Sequence, residues 1–254
     1  MTFTDAIILG VVQGLTEFLP ISSSGHLVLA QHILGIKSYG NEIEVLVHLG
    51  TLASILVVFS NDIKLILENI KSKDNQNYIF LLFIASLPAA ILGIEYKHFF
   101  ESLFNDLLSV SKALLFTGMV LVSSYFFQHK DKNHNIISSI LIGLAQALAI
   151  VPGISRSGMT ISFALLMGIN AKEAAKFSFL MAIPVISGAG LLTFMDAYND
   201  FSISLSIGFS ALISSFFVGL LALKWLLKWL GQGKLHYFGI YCILLGSASL
   251  AIFY

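Results

Sequence analysis

An acid, a hydroxyl, an imidazole and a guanidinium stand inside apolar sequence in this chain: Glu17, Ser23 and His26 in one stretch, Arg156 in another. Each ionisable group placed in a bilayer costs roughly 2.5–3.5 kcal/mol on insertion scales, so such residues mark function by default. Ser23 and His26 are three positions apart, on one side of a first helical turn, where a hydroxyl and an imidazole can make a nucleophile and base pair. Glu17 follows Gln13 by four, so both share a helix face and can turn to one ligand or one metal ion. Arginine grips phosphate oxygens through a planar fork of donors. Arg156 has no acid in its own segment; it needs an anion, or Glu17, as partner. Ser22-Ser23-Ser24-Gly25 and Ser155-Arg156-Ser157-Gly158 each precede an apolar run, as a helix start does. Any of the three serines of the first cluster can cap its helix. Helix starts also favour phosphate through free N–H groups and the dipole. The chemistry these residues can do is phosphate binding and phosphoryl transfer.

The elements that must position them are two copies of one pattern. AIILGVVQGLTEFLPISSSGHLVLA at 6–30 recurs as SILIGLAQALAIVPGISRSGMTISF at 139–163, 133 positions later. Gly10, Gln13, Ser22, Ser24 and Gly25 face Gly143, Gln146, Ser155, Ser157 and Gly158, whereas Glu17, Ser23 and His26 face Ile150, Arg156 and Met159. Each copy is a short apolar run, a Pro, Ser and Gly-rich tip, and a second short run. Neither run reaches the roughly 17–25 residues that cross a bilayer. Irregular backbone at depth is tolerated only inside protein or beside a wet cavity, so 6–35 and 138–168 are expected to be re-entrant helix pairs.

Composition fixes the surroundings. With 57% hydrophobic and 11% charged residues, the 254-residue chain is far from a soluble domain, about 25% of which is charged. Its mean hydropathy is +0.88. Zero net charge gives no footprint for nucleic acid. Cys242, the one cysteine, reads as an inert core thiol. The first apolar stretch lacks the basic start of a cleavable signal. Full spans are expected near 43–60, 78–96, 110–127, 172–193, 204–223 and 236–254, with Pro88 and Pro184 as tolerated kinks. The fold class is therefore an all-α polytopic membrane protein, a single integral domain over 1–254. Repeat one (about 1–128) and repeat two (about 136–254) each hold a re-entrant pair and three transmembrane helices, in inverted topology. VLVHLGTL at 45–52 resembles FSFLMAIP at 177–184 and extends the repeat weakly. Placing 61–77, 128–137, 169–176 and 224–235 inside gathers ten lysines there and leaves only Lys37, Lys97 and Lys112 outside, so both termini and the mouth of the site face out. His48, mid-span and opposite no polar residue of the repeat, reads as a satisfied core histidine; the remaining histidines receive no role.

QGLTEFLPISSSGHL resembles the first signature of the undecaprenyl-diphosphate phosphatase (bacitracin resistance) family, and PGISRSGMTIS its second, in order and at matching spacing. The resemblance implies a hydrolase of the bacterial cell membrane that converts a C55 isoprenoid diphosphate to the monophosphate, recycling the lipid carrier for peptidoglycan synthesis and conferring bacitracin resistance. It places Ser23, His26, Glu17 and Arg156 in catalysis and Gln13, Ser22, Ser24, Gly25, Ser155, Ser157, Gly158 and Thr160 around the substrate. Many relatives carry Glu where this chain has Gln13, so a Mg2+ or Ca2+ ion, if bound, would rest on Glu17 alone. Partners are then the diphosphate lipid and membrane lipid, with monomer and homodimer both open. Ser23, His26 and water all stand as candidate nucleophiles, with Glu17 orienting His26 or holding the cation. A polyprenyl-phosphate transporter or flippase is the alternative built on the same repeats and tips.

Overall fold

The computed structural model describes residues 1–36, 42–126, 131–197 and 203–253. Among these there is no strand, and twelve α-helices carry the fold. The first tip joins α1 (Phe3–Phe18) to α2 (Ser23–Ile33), and the second joins α8 (Ile136–Leu148) to α9 (Arg156–Leu166). Both expected pairs are thus helix, turn, helix. Local chemistry sets their limits. Thr2 and Asp5 form a capping box ahead of α1, and Asn135 and Ser138 form one ahead of α8. Leu19 is extended, at φ −60° and ψ 138°, as a residue before proline must be, and α1 stops there.

Between the pairs run α3 (Glu42–Val58), α4 (Ser60–Glu68), α5 (Lys73–Glu95), α6 (Lys97–Leu103) and α7 (Leu107–Ser123), and after them α10 (Ala171–Ala197), α11 (Leu205–Leu230) and α12 (His236–Phe253). Five of the described helices are long and apolar enough to cross a membrane, six if α3 and α4, bent by 64° at their junction, count as one span. The protein is multi-pass. The span expected near 43–60 is α3; the chain then turns at Phe59 into α4, which buries no residue and carries Asp62, Lys64 and Glu68. Pro88 and Pro184 lie inside unbroken helices, as expected. Lys37, Lys130 and His129 lie outside the described residues.

The first helix of each short pair packs on a long helix of the other half of the sequence: α1 lies along α11 and α8 along α5, while α3 meets α10 and α7 meets α12. Behind the tips sits the largest apolar cluster, in which Phe18 meets Phe179 edge-on at 5.6 Å and Ile21, Ile161, Leu121 and Cys242 are buried. The Cys242 thiol faces the Pro20 carbonyl at 3.9 Å inside this core, a structural thiol.

Gly153 fixes how closely the second tip approaches α7. Its φ is +98°, and a Cβ there would stand 2.5 Å from the Val110 carbonyl oxygen and 2.7 Å from Ala113 Cβ. Gly153→Ala should therefore cost the left-handed conformation, about 1–3 kcal/mol, plus displacement of α7. Gly35, at φ +65° with nothing within 4 Å of its missing Cβ, separates the two contributions. Thermal unfolding in detergent should show Gly153→Ala well below Gly35→Ala; equal losses would mean that the approach to α7 carries no weight.

Candidate active site

The two tips touch. A Cβ on Gly25 would lie 3.1 Å from Gly153 Cα, Ser24 Oγ accepts from the Gly153 N–H at 3.4 Å, and Ser157 Oγ donates to the Leu19 carbonyl at 3.4 Å. Thr117 of α7 holds the second tip from outside, donating to the Gly153 carbonyl at 2.9 Å and accepting from the Ser155 N–H at 3.1 Å. Each short helix that follows is capped in the same way. Ser22 Oγ accepts from the Gly25 N–H at 3.2 Å and Ser155 Oγ from the Gly158 N–H at 3.1 Å. The cap thus falls to Ser22 alone among the three serines of the first tip. Ser22 adopts φ +69°, a region that disfavours a side chain, so the tip is strained where its serine turns the chain.

Relieved of capping, Ser23 turns to Glu17. Its hydroxyl donates to Glu17 Oε2 at 2.6 Å, within the range of a charge-assisted bond. The same oxygen accepts from Gln13 Nε2 at 2.9 Å, the spacing that put Gln13 and Glu17 on one face. Glu17 Oε1 takes Arg156 Nη2 at 2.5 Å, across the two tips. The pair is nearly enclosed, with side-chain exposures of 6% for Glu17 and 17% for Arg156. Two polar atoms in it lack a protein partner: Arg156 Nη1 and Gln13 Oε1. A buried guanidinium nitrogen without an acceptor is an unfilled anion contact.

Glu17, Ser22, Ser23, Ser24, Ser155 and Arg156 line a cavity of about 790 Å3, whose other walls mix apolar side chains of α2, α3 and α10 with polar ones. The remaining expected substrate residues stand behind it. Gly25 and Gly158 have their N–H groups on the caps. Thr160 donates to the Arg156 carbonyl at 2.8 Å and meets Ser178 at 2.7 Å, tying α9 to α10. Helix geometry leaves the N–H groups of Ser23 and Ser24, and of Arg156 and Ser157, without intrahelical acceptors, so both helix starts keep donors for an anion.

His26 is placed differently from the expected serine and histidine pair. Its Nδ1 lies 2.7 Å from the Ser22 carbonyl, so the proton sits there, and its Nε2 lies 2.9 Å from the Tyr241 hydroxyl, which then donates to it. The two rings stack, centroids 5.7 Å apart. No hydrogen bond joins His26 to Ser23; the proton acceptor in contact with the serine is Glu17. Tyr241, Thr117 and His48 were not foreseen as site residues. His48, expected as a core histidine, lines the cavity with Nε2 3.7 Å from Glu17 Oε2. One signal was available: Glu44 and His48 are four apart, a polar stripe on an apolar helix.

A divalent cation on Glu17 would need about six oxygen ligands. Both oxygens of this single carboxylate are already engaged, a guanidinium stands where the cation would bind, and Gln13 Oε1 is the one unpartnered oxygen beside it. Among the described residues no three His, Cys, Asp or Glu side chains converge as a metal site. The donor set does not fit a resident Mg2+ or Ca2+ ion.

Residues 6–248 match the family described as bacitracin resistance protein BacA. Curated relatives match along nearly the whole chain. An undecaprenyl-diphosphatase of Bacteroides thetaiotaomicron is 38% identical over 261 residues, covering 98% of this chain and 98% of its own. Undecaprenyl-diphosphatase 1 of Bacillus cereus is 38% identical, covering 96% and 95%, and an undecaprenyl-diphosphatase of Halothermothrix orenii 39%, covering 97% and 96%.

Thr117→Val preserves shape and removes both hydrogen bonds to the Arg156 tip. It should cost about 1–3 kcal/mol for the stranded backbone groups and lower phosphate release, because Arg156 loses its fixed approach to Glu17. Thermal unfolding and turnover measured together test this; wild-type values in both would show that the tip is held elsewhere.

Proposed function

The chain belongs to the bacitracin resistance protein BacA family, and we infer that it is an undecaprenyl-diphosphate phosphatase of the bacterial membrane. It hydrolyses undecaprenyl diphosphate to undecaprenyl phosphate and inorganic phosphate, returning the lipid carrier to peptidoglycan synthesis and conferring resistance to bacitracin. The observation that carries the mechanism is the Ser23 hydroxyl on one oxygen of Glu17 while Arg156 holds the other.

We propose that Ser23 Oγ attacks the outer phosphorus and passes its proton to Glu17 Oε2. The bond to the bridging oxygen breaks, and undecaprenyl phosphate leaves as an anion that needs no proton. Water then attacks the phosphoserine, Ser23 Oγ leaves, and Glu17 returns the proton to it; the proton lost by water goes to phosphate. Arg156 swings its unpaired Nη1 and then Nη2 onto the equatorial oxygens, joined by the N–H groups of the two helix starts. Electrostatic support of that kind is the main contribution of protein to phosphoryl transfer. As phosphate draws Arg156 away, it releases the carboxylate that takes the serine proton, so binding and activation are one event. His26 acts here through the tip: bonded to the Ser22 carbonyl and to Tyr241, it holds the strained turn that presents Ser23. The carrier alternative has no observation in its favour.

We also propose that the two halves are inverted repeats, with the cavity open to the outer face. The swapped packing of α1 on α11 and α8 on α5 and the lysine distribution support this reading.

Ser23→Ala should cut phosphate release from undecaprenyl diphosphate by several orders of magnitude, and Glu17→Gln comparably, with the double variant no worse than the poorer single one. His26→Ala should lose less. A His26→Ala defect as deep as that of Ser23→Ala, with Glu17→Gln mild, would move the base to the histidine. Arg156→Lys keeps the charge and loses the fork, and should fall at least about tenfold.

Orientation has its own test. A cysteine replacing Asn105 should react with an impermeant thiol reagent added to intact cells, and one replacing Asn75 should not, the native thiol being buried. The opposite labelling would turn the site toward the cytoplasm.

A further inference from the structure

Glu17 has a partner that the proposed chemistry leaves idle. His48 sits in the middle of α3, its Nδ1 2.6 Å from the carbonyl of Glu44 one turn earlier. A carbonyl only accepts, so Nδ1 is the donor there and the ring cannot turn without breaking that bond. The ring's other edge is thereby fixed toward the site, Nε2 3.7 Å from Glu17 Oε2, where it donates only as the imidazolium, in which both ring nitrogens carry protons. The side chain is 30% exposed, and His48 lines the cavity, so the exposure is toward the substrate space.

This matters because of what phosphate does to Glu17. In the free protein the carboxylate is clamped from both sides, Oε1 by Arg156 and Oε2 by Ser23 and Gln13. When the guanidinium moves to phosphate, Oε1 loses its one hydrogen-bond partner among the described residues, and the carboxylate becomes free to rotate about its Cγ–Cδ bond. Rotation would carry Oε2 off the Ser23 hydroxyl at the moment it must accept the proton. Ser23 cannot hold it, being the group that leaves. Gln13 holds one direction only. The imidazole stands on α3, independent of both tips, and does not move with Arg156.

We propose that His48, as an imidazolium turning its Nε2–H to Glu17 Oε2, is a positioning residue for phosphoryl transfer, which keeps Glu17 aligned on Ser23 after Arg156 has gone to the phosphate. The inference rests on the reading of Ser23 and Glu17 given above. Misplacement of a reacting group by about 1 Å costs on the order of 100-fold in rate, and loss of one of several restraints should cost less than that.

The test is turnover of undecaprenyl diphosphate by purified protein in detergent, with kcat and KM separated. His48→Leu, similar in size but without polar edges, should lower kcat at least about tenfold with KM nearly unchanged. His48→Gln, whose amide can still reach the carboxylate, should recover most of that loss at the same thermal stability. In a Glu17→Gln background, His48→Leu should cost nothing further, because there is no carboxylate left to align. A wild-type kcat in His48→Leu overturns the proposal, as does a change confined to KM, which would make the residue a wall of the cavity. Equal loss in the leucine and glutamine variants also overturns it. Failure of the underlying mechanism looks different: Glu17→Gln itself would then turn over normally.

Discussion

A carboxylate in an apolar interior cannot stand alone, and the fold around Glu17 is arranged to answer that demand. The desolvation of such a group is worth several kcal/mol and is offset only by close, well-aligned partners. Glu17 draws one from its own helix, Gln13, one from its own tip, Ser23, and one from the opposite tip, Arg156. The last requires two chain segments 139 residues apart to meet end to end. Everything that lets them do so follows from it: turns tight enough for Gly25 to face Gly153, a residue at φ +98° where α7 crosses, and Thr117 pinning backbone that would otherwise be unpaired. In the proposed mechanism the ion pair is also what phosphate must break.

Stability and catalysis therefore pull on the same atoms. Replacing either partner of a buried pair leaves an uncompensated charge, about 3–5 kcal/mol, so variants of Arg156 or Glu17 lose structure as well as chemistry. Ser23 has no such double duty, since Ser22 does the capping. That division of labour among three adjacent serines lets the Ser23 hydroxyl turn to Glu17 while the helix start stays intact.

What could be read in the sequence was what depends on short range. The 133-position repeat gave both helix, turn, helix units, and the Gln13 to Glu17 spacing gave their shared face. Glu17 was one of the two partners that charge balance left open for Arg156, the other being a bound anion, and the structure pairs the two residues. What could not be read depends on packing between distant helices. Tyr241 reaches His26 from 215 residues away, and Thr117 reaches Gly153 from 36, with no local pattern to announce either. His48 was misread for the opposite reason: one histidine in an apolar span is ordinarily a satisfied core group, and only the position of α3 beside α1 shows which way it points. The break at Phe59 falls where the polar run Ser60-Asn61-Asp62 ends the expected span, but that α4 goes on as a helix after it could not be told from the charged loop expected there.

The two tips show how one pattern yields an asymmetric site. The positions that build the turn are shared: Ser22 and Ser155 cap onto Gly25 and Gly158 at nearly equal distances, 3.2 and 3.1 Å. The positions to which the proposed mechanism gives the chemistry are the ones that differ. Opposite Glu17, Ser23 and His26 stand Ile150, Arg156 and Met159. Ile150 lines the cavity as an apolar wall, and Met159 is 1% exposed in the core behind the second tip. Had both copies kept the acid, two carboxylates would have met at the tips and repelled each other and the diphosphate; had both kept the arginine, the base would be missing. A phosphoryl transfer needs a nucleophile with its base on one side and a cation on the other. A doubled scaffold supplies the closeness, and divergence at three positions supplies the difference in charge.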